Sequence, residues 1–328
     1  MRRKKKIDVA LIGSNFALKG YLPVLEKIKE LNVKIICSKN IFEKKELTKK
    51  KNIQLETNWK AIFDSNIQLI ILSVPPKVQE KILLYNLRYK KKIFLEKPIS
   101  TNYELSKKIY DQYKKRGIKF DINLTYLNHK LFNDLKKIIK SKLLGKILAY
   151  DIQWSFLSYD YFNTIKSWKT NETYGGGIKN IFLTHVLSYC EYLFGDYKIK
   201  NFETEKSNNL IKNYKKKIIL EIENKKNIRG KAKIFIKKNG TQKHIIKIFF
   251  EKGHVLLFTN SKDWTKSFSL EIYKKNNKKK MFKLIKDSKY TDGRCYQIEN
   301  AIRKFLRPGY KNNMKYCLNA EKNIKKII

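Results

Sequence analysis

The strongest constraint on this chain is a succession of short apolar runs, each cut off by glycine, proline or a polar turn and followed by a helical pattern. Ile7 to Ile12 stops at Gly13, Val33 to Cys37 stops at Ser38-Lys39-Asn40, and QLIILS at 68–73 is broken by Val74-Pro75-Pro76. The next run, IFLEKPIS at 93–100, passes straight into Glu96-Lys97-Pro98, and a further strand is expected at 119–123. Between these runs, apolar residues recur at helical spacing: Leu18, Leu22, Leu25 and Ile28 within 17–30, then helices expected over 42–50, 59–63, 78–89 and 102–114. Strands that are apolar throughout are covered on both faces, and the alternating helices supply that cover. The expected fold class is α/β, with an N-terminal doubly wound parallel sheet.

From Leu124 the pattern changes. A helix is expected over 129–143, a longer alternating strand over 147–156, and then a polar stretch leading through Trp168 to the loop Tyr174-Gly175-Gly176-Gly177. An apolar helix over 178–194, closed by Gly195, follows and contains His185. Residues 216–286 alternate as antiparallel strands, with Asn239-Gly240 reading as a hairpin turn, and two helices at 294–306 and 312–328 close the chain. The chain thus divides into 1–123, with the doubly wound sheet, and 124–328, a C-terminal α+β domain with a mostly antiparallel open sheet. At about 150 residues per domain, 328 residues accommodate both. A sheet with one charged and one apolar face needs helices or a second subunit against the apolar side.

Charge bears on partners. The chain has 74 Lys+Arg against 29 Asp+Glu, a formal net charge of +45, with 42% hydrophobic and 13% aromatic residues. The lysines are spread through every segment, which favours a global compositional bias over a dedicated nucleic-acid surface. Cys37, Cys190, Cys295 and Cys317 lie far apart without CxxC spacing, arguing for a reducing compartment and against a disulfide frame or a metal site. No run approaches the ~18 apolar residues of a membrane span, so a cytoplasmic protein without membrane partners is expected.

Candidate residues follow from strand ends. Ligands of open α/β sheets sit beyond the carboxyl ends of the strands, so Lys97, kept extended by Pro98, is placed to contact one. The turn Gly13-Ser14-Asn15-Phe16-Ala17-Leu18 keeps the first glycine of G-x-G-x-x-G and has Asn15 and Leu18 for the others, an incomplete phosphate cradle. Ser38 and Lys39 occupy the place where an acid would hold a ribose 2′-hydroxyl; they lean towards NADP over NAD, although a solvated lysine in a polar turn is an equally ordinary reading. His185, on an apolar helix just behind three glycines, is the best acid/base candidate among four histidines, and a core histidine satisfied by a carbonyl is the alternative.

Taken together, VALIGSNFALKGYLPVL, ILSVPP, IFLEKPIS, LLGKILAYDIQW and WKTNETYGGGIKNIFLTH resemble the glucose-fructose oxidoreductase / inositol dehydrogenase (Gfo/Idh/MocA) family, and more closely its members in bacterial surface-sugar biosynthesis. The resemblance implies an NAD(P)-binding Rossmann domain over 1–123 and a substrate and oligomerisation domain over 124–328, an NAD(P)-dependent enzyme moving hydride to or from a secondary hydroxyl of a sugar or nucleotide-sugar, and homo-oligomerisation through the C-terminal sheet. It implies catalytic roles for Lys97 and His185, cofactor contacts at Gly13, Ser14, Asn15, Phe16, Ser38, Lys39, Ser73, Pro75, Glu96 and Lys97, and substrate contacts at Lys97, Tyr126, Trp168, Asn180 and His185. The family's aspartate four residues before the histidine is here Ile181, which cannot orient substrate or share a proton. A catalytically altered member that binds a sugar nucleotide or partner without turnover is the alternative.

Overall fold

This computed structural model describes residues 5–43, 52–206, 215–225, 227–237, 239–260, 267–275, 279–283 and 289–327. They form two compact units, Met1–Thr125 with Arg294–Leu318 and Tyr126–Gly293 with Asn319–Ile328. The helix Arg294–Leu306, which the sequence reading grouped with the C-terminal half, therefore packs with the first unit.

The first unit contains β1 (Ile7–Ile12), β2 (Leu31–Cys37), β3 (Gln54–Glu56), β4 (Leu69–Leu72), β5 (Lys92–Leu95) and β6 (Phe120–Ile122), all parallel in the order β3-β2-β1-β4-β5-β6. The apolar runs do what their composition demands. Val9, Ala10 and Leu11, the whole of β4, and Ile93, Phe94 and Leu95 are fully buried, as strands covered on both faces must be. β1 and β4 are neighbours although β2 and β3 intervene in sequence, so the connections leave β1 and β4 in opposite directions. This is the topological switch point of a doubly wound sheet.

Several helices differ from expectation. Residues 17–30 do not form one helix: a π-helical turn, Ala17–Tyr21, runs into a short α-helix, Leu22–Lys27, and Ile28 is already extended because β2 begins at Leu31. Of the helix expected over 42–50, the described part is a single 3₁₀ turn, Ile41–Glu43, and the rest lies outside the described residues. The helix after β4 starts earlier than expected, at Pro76, because a proline is well tolerated in a first turn.

The second unit is built on an eight-stranded sheet of β7 (Ile147–Leu157), β8 (Tyr197–Lys206), β9 (Lys215–Asn224), β10 (Arg229–Lys237), β11 (Lys243–Phe250), β12 (Gly253–Thr259), β13 (Ser269–Lys274) and β14 (Lys279–Lys283). The order is β14-β13-β12-β11-β7-β10-β9-β8. It is antiparallel except where β10 runs parallel to β7. Asn239-Gly240 is consequently not a hairpin turn. β7 stands between β10 and β11, so the two flanking runs pair with β7 and not with each other, and Gly240 (φ +84°) turns in a connection that crosses the end of β7. At Gly230 on β10, a Cβ would lie 2.1 Å from Cζ of Tyr150, whose ring stacks on Phe194 at 4.0 Å. The helix expected over 178–194 opens with a π-helical turn, Lys179–Leu183, and continues as the α-helix Thr184–Phe194.

Candidate active site

Strand register aligns the residues at the carboxyl edge of the first sheet. Ile12 pairs with both Cys37 and Leu72, Leu72 with Leu95, and Leu95 with Ile122. The next residue of each strand continues the ladder: Gly13 N–H donates to Cys37 O, Ser73 to Ile12 O, Glu96 to Leu72 O and Asn123 to Leu95 O, at 2.8–3.0 Å. Ser38, Gly13, Ser73, Glu96 and Asn123 therefore form one row across the edge where ligands of such sheets lie. Gly13 and Ser73 flank the switch point and touch. With φ at +131°, a Cβ on Gly13 would stand 2.2 Å from the Ser73 carbonyl oxygen, so only glycine fits.

Lys97 follows this row, joined to Pro98 by a cis peptide bond. Its backbone neighbours are pinned from below: Nε2 of the buried Gln79 lies 2.7 Å from the carbonyls of both Glu96 and Pro98 and 3.2 Å from that of Ile99. Glu80, one residue on, accepts from the N–H and the hydroxyl of Thr101. The first turn of the helix Pro76–Tyr89 thus grips both ends of the Glu96–Thr101 segment. The Glu96 carboxylate receives the Tyr21 hydroxyl at 2.6 Å and the Asn123 amide at 2.8 Å.

Glu96 and Lys97 are half-buried, and desolvation dominates both groups. Burial raises the Glu96 carboxyl, against the hydrogen bonds of Tyr21 and Asn123 and the charge of Lys97. Burial lowers the Lys97 ammonium to about 8, against the attraction of Glu96 and the Cys317 thiol. A lysine poised near 8 is mostly charged at neutral pH yet gives up a proton far more readily than an exposed one, which suits both charge stabilisation and proton transfer.

In the second unit, Gly176 lets the backbone at Trp168 close on the triple-glycine loop, since a Cβ there would meet the Trp168 carbonyl oxygen at 2.0 Å. Trp168 itself is half-buried. Asn180, on the π-helical turn, donates to Gly176 O at 2.9 Å and so ties that turn to the loop. His185 is buried, with its ring edge-on to Tyr126 at 5.3 Å. Tyr126 is also buried, at the centre of an aromatic cluster with Phe132, Trp154, Tyr189, His244 and Phe268. Ile181 is half-buried on the same π-helical turn as Asn180. Among the described residues, no cluster of three or more His, Cys, Asp or Glu could hold a metal ion. The four cysteines are buried and form no disulfide.

Residues 7–124 match an oxidoreductase family by its NAD-binding Rossmann fold, and residues 136–320 match the C-terminal alpha/beta domain of the same family. The chain belongs to the Gfo/Idh/MocA oxidoreductase family. Levoglucosan dehydrogenase of Pseudarthrobacter phenanthrenivorans is 24% identical over 220 residues, 60% of this chain and 53% of that protein. The chain spans about half the length of the curated relatives it matches, or less, between 38% and 53%. An oxidoreductase from Agrobacterium radiobacter, solved with NAD+, L-tartaric acid and magnesium, superposes with a TM-score of 0.83 at 14% identity, over 98% of this chain and 95% of that one. The 3-ketoreductase KijD10 of Actinomadura kijaniata, solved with NADP and TDP-benzene, gives 0.79 at 14% identity, over 98% and 96%. At such identities these two likenesses speak to fold alone.

The cradle of this family member fits a nicotinamide dinucleotide. Gly13 supplies the tight turn, and the turn after it opens a helix whose first N–H groups have no intrahelical acceptor. Leu18, at the third glycine position, is half-buried, and the close helix-to-strand approach is made instead by the fully buried Ala17, whose Cβ is 3.1 Å from where one on Gly13 would stand. Asn15 is exposed. Phe16 is wedged against Gly20 and lies under the Arg294 guanidinium, 4.2 Å from its ring centre. Ser38 is half-buried, its N–H donating to Glu56 O, while Lys39 is exposed; Ser14 and Pro75 are half-buried.

The sequence reading named Gly13, Ser38, Ser73 and Glu96 without showing that they share one row. It missed Asn123, Gln79 and His244. The signal for Gln79 and His244 was present: a polar residue at a position that the helical or alternating pattern reserves for the buried face, as with His244 among Ile246, Ile248 and Phe250.

Proposed function

We propose that the chain is an NAD(P)-dependent oxidoreductase, preferring NADP(H), that works in the cytoplasm on a secondary hydroxyl or ketone of a sugar or nucleotide-sugar, in cell-surface polysaccharide biosynthesis. The observation that carries this reading is the row Ser38, Gly13, Ser73, Glu96 and Asn123 at the switch-point edge, with Lys97 immediately after it. Gly13, Ser14, Asn15 and Phe16 would hold the pyrophosphate, Ser38 and Lys39 the 2′-phosphate end, and Ser73, Pro75, Glu96 and Lys97 the nicotinamide end. When bound, the dinucleotide supplies hydride exchange.

The residues handle the oxygen and its proton. The Lys97 ammonium stabilises negative charge developing on the substrate oxygen, and its lowered affinity lets it pass a proton to or from that oxygen. Glu96, held by Tyr21 and Asn123, supplies a negative charge beside that ammonium. His185 exchanges the proton with solvent as acid/base, while Asn180, Trp168 and Tyr126 shape the sugar end. The exposed face of the eight-stranded sheet joins copies of the chain in a homo-oligomer. Ile181 favours a second reading, in which sugar nucleotide is bound but not turned over.

Equilibrium titration of NADPH and NADH at physiological salt, followed by hydride-transfer assays across a panel of nucleotide-sugars, tests both readings. Tighter NADPH binding with turnover supports the first. Binding of a nucleotide-sugar without turnover establishes the second, and failure to bind either dinucleotide overturns the first.

A further inference from the structure

We propose that His244 is a positioning residue for His185: bridged between the hydroxyls of Tyr126 and Tyr189, it locks the Tyr126 ring against which the His185 imidazole packs edge-on. The inference rests on the reading of His185 as acid/base. Nδ1 of His244 is 3.2 Å from the Tyr126 hydroxyl and Nε2 is 3.0 Å from that of Tyr189, so both ring nitrogens have polar partners in a wholly buried site. Trp154 stacks flat on the imidazole at 4.5 Å with the planes 3° apart, fixing its orientation. With its hydroxyl tied to an imidazole whose plane is fixed, the Tyr126 ring is held in one orientation beside His185, 5.3 Å away with the planes 86° apart.

The hydrogen bonds also carry electronic consequence. A neutral imidazole has one N–H, so one tyrosine donates to His244 and the other accepts from it. When Tyr126 is the donor, electron density on its ring rises, which changes the field at the imidazole packed beside it. The other ionisable group close to His244 is His129, whose Nδ1 accepts from the Leu131 N–H at the start of the helix Lys130–Ser141. Burial and His129 together hold His244 well below the usual histidine range, at about 3, so it stays neutral and serves as a fixed hydrogen-bond hub. Position at an acid/base group matters at the level of fractions of an ångström, and such a locked neighbour supplies it.

The chain has four histidines, so their imidazole NMR signals can each be followed through a pH titration. His254, stacked on Tyr273 of β13, is the internal control. In H244F, which keeps the ring but removes both hydrogen bonds, and in Y126F, which removes one hydroxyl, the His185 pKa is expected to move by about 0.5 unit or more and its tautomer ratio to change, with His254 unmoved. If H244F does not fold, Y126F alone decides. His185 titration and tautomer superimposable on wild type in a folded variant overturn the proposal. The signals require no substrate, so failure of the oxidoreductase reading, seen as absent dinucleotide binding, is distinguishable from failure of this one.

Discussion

Lys97 and His185 are held in opposite ways. Around Lys97 the restraints are polar and act on the backbone: Gln79 on three carbonyls, Tyr21 and Asn123 on the neighbouring carboxylate. Around His185 the neighbours are rings, Tyr126 edge-on at 5.3 Å and Trp154 tilted at 6.2 Å, and Tyr126 is in turn hydrogen-bonded to His244. The polar nest tunes a charge by balancing burial against partners. The aromatic nest fixes a geometry. Two groups that the same chemistry would use in sequence are thus prepared by different physics, each in its own unit.

The largest effects come from two glycines that have equally little room. G13A puts a Cβ 2.2 Å from the Ser73 carbonyl oxygen at φ +131°, and G230A puts one 2.1 Å from the Tyr150 ring. Each is expected to cost about 3 kcal/mol or more in chemical denaturation. Dinucleotide titration separates them: G13A loses NADPH binding because the switch-point turn is rebuilt, whereas G230A, in the other unit, keeps it. Equal loss in both would mean that the cradle is not local to the first sheet.

Acid and base act on the two units with opposite sign. Burial lowers His244 to about 3, so below the unfolded value near 6.5 only the unfolded chain takes up the proton, and stability falls by about 1.4 kcal/mol per pH unit on acidification from 6.5 towards 3. H244F is expected to flatten that limb. Asp121, in the first unit, is raised to about 6 by burial, despite accepting from the N–H groups of Asn313 and Ile122. Here the folded state holds the proton more tightly, so stability falls as pH rises from about 4 to about 6 and is level above that. D121N should therefore be the more stable protein at pH 7 and lose that advantage by pH 4, as urea titrations at the two pH values would show.

How much of this was legible in the sequence depended on whether the signal was local. Continuous apolar runs such as Leu69–Leu72 and Ile93-Phe94-Leu95 declared a parallel sheet, and the polar residues that end them declared its ligand edge. β3, three residues long, and β8, an edge strand with most residues exposed, carry too little apolar pattern to be seen. Asn239-Gly240 misled because the partner of both flanking strands is β7, some 80 residues away, and no local rule reports such an insertion. The same distance hid the sites' supports. Asn123 reaches Glu96 across 27 residues and His244 reaches Tyr126 across 118, so their roles exist only once register brings the strands together.

The smallest effect is also the most discriminating. Because burial lowers Lys97 from 10.5 to about 8, the charged form is disfavoured in the folded state, and the cost is present in full below about 8 and relieved as pH rises towards 10.5. Replacing the ammonium by the apolar side chain in K97M removes that cost and leaves the Gln79 contacts, which are made to backbone carbonyls, untouched. At pH 7 K97M should be as stable as wild type or more so, by about 1 kcal/mol after allowing for the half-exposed side chain and the lost attraction to Glu96. NADPH binding should change only a few-fold, while hydride transfer should be abolished. A K97M protein that is less stable at pH 7 would mean that Glu96 and Lys97 act as a structural ion pair, and the contrast between a tuned charge and a fixed ring would lose its first half.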